Sequence, residues 1–142
     1  MALTFAAVPS SGEKNLRELL KSMQPQLLEG TYGFVHVPPG RAVPPGLKPF
    51  ATCEEPEGPT LILTEADLAK SGLPHAFFCR CIALSTHSSL YAVGFLAAVS
   101  ERLAKAHMSI NLISGFHRDY VFVPTGRAEE AVSVLKKLAA EQ

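Results

Sequence analysis

An α+β fold, with helices on one face of an antiparallel sheet, follows from three features of this sequence. The run Ala76–Ser85 is apolar on both alternating faces apart from Arg80, as in a strand covered on each side. Beyond it, Ala92, Leu96, Val99, Leu103 and Ala106 recur at alternating four- and three-residue steps, the spacing of an amphipathic helix. Ser109–Ser114 and Tyr120–Val123 then read as strands joined by a tight polar turn at Gly115–Asp119, with a last helix behind them. The second half thus runs strand, helix, strand, strand, helix, and the first half is a looser version of the same order.

In chain order, Ser10 and Glu13 have capping-box spacing. Leu16, Leu19, Leu20 and Met23 follow at helical intervals until Pro25, so a first helix is expected over Glu13–Ser22. Thr31–Val37 is β-rich. The two Pro-Pro-Gly triplets in Pro38–Pro49 allow neither helix nor central strand there, and an exposed excursion, or a lid, is expected. Phe50–Glu55 and Thr60–Leu63 read as short strands. Thr64 caps a short helix that Gly72 and Pro74 close. In the last helix, Thr125 is the expected N-cap, and Ala128, Ala131, Val132, Leu135, Leu138 and Ala139 form its packed face. Its Glu129 and Glu130 precede Lys136 and Lys137, as the helix dipole prefers.

With 142 residues the chain holds one domain or two very small ones. Its zero net charge speaks against a nucleic-acid surface or a basic membrane patch, which leaves a small metabolite as the expected partner. The longest apolar run, Tyr91–Val99, is too short to span a bilayer, and Met1–Pro9 lacks the basic flank of a signal peptide. Three cysteines, Cys53, Cys79 and Cys81, make a poor disulfide framework. Reduced thiols and a cytoplasmic setting are expected, with no metal site.

Catalytic readings are weak. The acidic turn Glu54–Glu57 sits among prolines, as solvated loops do. Ser88, His87, His117 and Asp119 have the chemistry of a hydrolase but no Gly-x-Ser-x-Gly elbow, so a non-enzyme is expected. Arg80, between two buried-type cysteines, must extend to solvent or meet a carboxylate or another subunit.

The stretch Val93-Gly94-Phe95-Leu96-Ala97-Ala98-Val99, continued by Leu103 and Met108-Ser109-Ile110, resembles the ACT-domain family. That family opens a helix with a Pro-Gly-x-Leu-type loop and follows it with a Gly-Ile-Asn-Ile-type strand. Val93 replaces the usual proline and Ser109 the usual asparagine. The continuation through His117, Asp119 and Val123-Pro124 is similar to stand-alone tandem ACT proteins. The resemblance implies a ferredoxin-like βαββαβ ACT fold in two halves, a diverged one over 1–74 and a clearer one over 75–142. It also implies side-by-side sheet pairing, a homodimer or larger homo-oligomer, no cofactor, and a regulatory role. The ligand, an amino acid, would lie at an ACT–ACT interface, between the first strand-to-helix loop and the neighbouring strand.

The residues suit such a ligand. A helix N-terminus offers free N–H groups to a carboxylate, and Gly94 lets it approach the backbone. Asp119, or the acidic turn if it folds close, could pair with an ammonium. The candidate binding set is Ser88, Ser89, Leu90, Val93 and Gly94 from the loop, with Asn111, Ile113, Ser114, His117 and Asp119 from the strand and turn beyond. The competing reading is an interaction module with a vestigial pocket.

Overall fold

The computed structural model describes residues 12–142. Ser10, half of the expected capping box, lies outside them. Helix α1 (Leu16–Ser22) starts later than expected because Asn15 takes the cap, its side chain accepting from the Glu18 N–H at 3.1 Å. The Glu13 carboxylate instead accepts from the N–H groups of Lys14 and Asn15, both at 2.8 Å. Pro25 does not simply stop the helix. It opens a strand that periodicity concealed, β1 (Pro25–Leu27), too short to show alternation.

The other strands are β2 (Tyr32–His36), β3 (Ala51–Cys53), β4 (Thr60–Thr64), β5 (His75–Leu84), β6 (Asn111–Ser114) and β7 (Asp119–Pro124). They form one antiparallel sheet in the order β3-β4-β2-β5-β7-β6, with β1 pairing β5 beside β2. In effect β1 and β2 are one interrupted strand: Pro25 faces Leu84, Leu27 faces Ile82, and Tyr32 faces Cys79. The expected central strand is therefore the ten-residue β5, which joins the two halves of the sheet.

Helix α2 (Glu65–Ser71) has the Thr64 cap and the left-handed Gly72 that its sequence suggested. It lies so close to β2 that a Cβ on Gly33 would come within 2.8 Å of Leu68. Val35, Val37, Leu61, Leu63, Leu68 and Leu73 pack beneath it. Helices α3 (Phe95–Lys105) and α4 (Ala128–Ala140) cover the other half of the same face. Leu19, Leu20 and Met23 of the α1 region pack with them and not with α2. Two sequence expectations shift here. The first core side chain of α3 is Phe95, with Val99 and Leu103, while Leu96 is half-buried. Thr125 starts a short 3-10 turn (Thr125–Arg127), and α4 carries no side-chain cap. Glu101 and Lys105 pair at 3.1 Å on the outer side of α3, as their spacing implied.

On the opposite face the sheet curls around a ring cluster. Phe122 meets Tyr32, Phe34 and Phe50 edge-on, with centroids 5.8, 5.7 and 5.4 Å away. Cys79 and Cys81 are buried in this cluster, where loss of water pushes their thiols up to about 11 and about 12. Cys53 is exposed, and all three are free. Arg80 meets a backbone carbonyl and not a carboxylate, donating from Nη2 to Leu28 at 2.9 Å, while its buried Nε has no partner among the described residues. The segment 38–50 is irregular and exposed over most of its length, as its prolines require. No helix among the described residues is long and apolar enough to cross a membrane.

Candidate functional site

The loop from β5 to α3 is pinned by Glu13 near its β5 end. Glu13 donates its N–H to the His87 carbonyl at 2.9 Å and accepts from the Ser89 N–H at 2.8 Å. Ser89 Oγ accepts from the Tyr91 N–H at 3.0 Å, tightening the turn. Gly94 then takes φ 94°, a left-handed geometry that side chains resist, and serves as the N-cap. It contributes no capping side chain. The first intrahelical bond is Ala98 N–H to the Gly94 carbonyl, so the N–H groups of Phe95, Leu96 and Ala97 have no partner among the described residues.

Those three residues border a cavity of about 220 Å³, whose polar walls include Ser88, Ser89, Ser114 and Asp119. Asp119 is only 5% exposed, and its Oδ2 accepts from Ser88 Oγ at 2.8 Å. The cavity therefore has a helix N-terminus with free donors on one side and a buried carboxylate on the other. Such a pair of walls can hold the two ends of a zwitterion.

Six of the ten candidate residues line it: Ser88, Ser89, Leu90, Gly94, Ser114 and Asp119. The other four lie elsewhere. Val93 points outward, 83% exposed. Asn111 sits exposed at the far end of β6, and Ile113 packs toward the ring cluster on the other face. His117 stacks near His87, with ring centroids 5.1 Å apart. The acidic turn Glu54–Glu57 lines no part of the cavity, and Glu55 accepts from the Thr60 hydroxyl. Sequence reasoning missed Ala92, Phe95, Leu96 and Ala97 as wall residues. What Phe95, Leu96 and Ala97 offer is backbone N–H, which no side-chain pattern reveals; their place in the first turn after Gly94 was the available signal.

The ACT domain pattern matches residues 11–80 and again residues 78–137. The chain belongs to the ACT-domain family. It is a tandem ACT protein with a ferredoxin-like fold, and ACT domains are typically regulatory rather than catalytic. Among solved structures it is similar to VC0802 from Vibrio cholerae, a protein of unknown function and possible transport protein. The two share 37% identity over 87% of this chain and 95% of that one, with a TM-score of 0.78. Atu0741 from Agrobacterium tumefaciens matches at 15% identity, over 82% and 89% of the two chains, with a TM-score of 0.69. The regulatory subunit of aspartate kinase from Thermus flavus matches at 12% identity, over 81% and 96%, with a TM-score of 0.56. The last two likenesses concern the fold alone. No curated protein matches the chain. Family membership supports a regulatory, ligand-binding role for this tandem ACT protein.

Proposed function

We propose that this ACT protein is an amino-acid sensor that acts by binding, without catalysis, and that its ligand sits in the cavity under α3. The α-carboxylate meets the N–H groups of Phe95, Leu96 and Ala97, and the α-ammonium meets Asp119. Ser88, Ser89 and Ser114 supply neutral hydrogen bonds. The observation that carries this reading is the pairing of an uncapped helix N-terminus with a buried carboxylate across one cavity. A volume near 220 Å³ favours a small side chain.

The same reading takes the chain as two ACT units, 1–74 and 75–142, with β5 as their seam, in a homodimer or larger homo-oligomer. Leu90 lines the cavity, and Tyr91 and Val93 follow it in the same loop; exposed by 60, 78 and 83%, they are the surface that a second copy would cover. A cytoplasmic location accords with the three free thiols.

A thermal-shift screen of the amino acids tests the proposal, because a ligand bound only to the native state raises Tm. At millimolar concentration at least one small amino acid is expected to raise Tm, and Asp119→Asn is expected to reduce the rise. No shift with any of them overturns it.

A further inference from the structure

We infer that the gap between the two edge strands of the curled sheet is a second binding site, for an uncharged and mainly apolar small molecule. It is independent of the amino-acid reading, since the two cavities share no lining residue: Ser114 borders the first, while Leu112 and Ile113 border this one. Its volume is about 410 Å³, within the range of roughly 300–1,000 Å³ that small-molecule sites occupy.

The lining shows how it is built. Three successive residues of β3, Ala51–Cys53, and two successive residues of β6, Leu112 and Ile113, border it. Successive strand residues point to opposite faces, so a cavity that touches them in a row is met along the strand edge. β3 and β6 are the two ends of the sheet, and neither has an outer partner among the described residues. The ring cluster holds these ends toward one another, with Phe50, just before β3, 5.1 Å from Tyr120 of β7. Edge N–H and C=O groups thus face a space floored by Phe34 and Ile62.

The chemistry of the occupant follows. No acidic or basic side chain lines the gap, so a charged ligand would lose water without gaining a partner. Hydrogen bonds are available from the two backbone edges, from Thr52 and Cys53, and from the Thr60 oxygen as an acceptor only, since its proton is donated to Glu55. A flat or extended apolar body carrying one or two neutral polar groups matches both.

Cys53 supplies a footprint. It lies at the edge and is exposed, whereas Cys79 and Cys81 are buried with raised thiol pKa values. The experiment titrates N-phenyl-1-naphthylamine, an uncharged apolar fluorophore, into the full chain and follows alkylation of Cys53 by N-ethylmaleimide. A saturable rise in fluorescence is expected. At free probe four times its Kd the unoccupied fraction is about one fifth, so alkylation slows about fivefold. Cys53→Trp, which fills an exposed edge position, is expected to lose the fluorescence at unchanged Tm, and Cys53→Ser to keep it. Addition of amino acids is expected not to displace the probe. Unsaturable fluorescence, or an unchanged alkylation rate at saturation, overturns the inference. So does Cys53 reactivity that falls with protein concentration while the probe fails to bind, since a second copy would then cover the gap.

Discussion

The connection from β2 to β3 and the connection from β5 to β6 each leave an inner strand of the sheet and return to an edge strand. One is the irregular segment 37–50, with prolines at 38, 39, 44, 45 and 49. The other contains α3, opened by Gly94. Proline removes N–H donors and breaks helices, so the first connection has no helix N-terminus to present. Between its ends, Val37 and Phe50, its hydrogen bonds to the rest of the chain are few: Arg41 donates to the Gly72 carbonyl, and the Lys48 N–H donates to Asp67, both at 3.1 Å. The second connection ends in free helix donors opposite Asp119. The two connections therefore differ in the free helix donors they present through one local choice, whether the connecting segment can be helical.

Four experiments sharpen or break that contrast. The largest effect strikes both halves together, because both hang from β5. The thiols of Cys79 and Cys81 stay protonated in the native chain to about 11 and about 12, while in the unfolded chain they ionise near 9. Above about pH 9 the unfolded state therefore binds fewer protons, so stability falls as pH rises through this window and is unaffected below it. Denaturation curves across pH 8–11 should show the loss, and Cys81→Ala should make it shallower.

The next effect belongs to the second connection alone. Asp119→Asn keeps an acceptor for Ser88 but removes the charge facing an ammonium. Calorimetric titration should show affinity for the amino acid falling about 10- to 100-fold, the range of a lost charge-assisted hydrogen bond at about 1.5–3 kcal/mol. Equal loss from Arg41→Ala, in the first connection, would break the contrast.

Backbone strain comes third. Gly94→Ala places a side chain at φ 94° and its Cβ 3.3 Å from Leu16, and urea melts should give a loss of about 1–3 kcal/mol. Gly40, at φ 79° with nothing near its missing Cβ, sits in the looser connection. Gly40→Ala is expected to cost less than Gly94→Ala, because that segment can relax. The smallest effect is Arg41→Ala itself, about 0.5–1.5 kcal/mol for one exposed hydrogen bond, read from the same melts.

Helix α2 was legible down to its caps, because Thr64 and Gly72 act on their own neighbours. The hairpin of β6 and β7 was legible for the same reason, since the turn is local, though it spans Gly115–Arg118 and Asp119 already belongs to β7. The site was legible in part. Ser88 and Asp119 were named, but not that one donates to the other across 2.8 Å from two different elements. Ile113 and Ser114 were placed in one set, although adjacent residues of a strand must face opposite sides.

From its residues alone this chain determined the order of its principal helices and strands, the proline-broken connection and the glycine that opens α3. Those properties depend on contacts within a few positions along the backbone. Only the tertiary structure decided that Pro25–Leu27 pairs with β5, that α1 packs with α3 and α4, and that a carboxylate ends up opposite free helix donors. Each of these joins segments far apart in sequence, and the cooperative packing of one core settles them together.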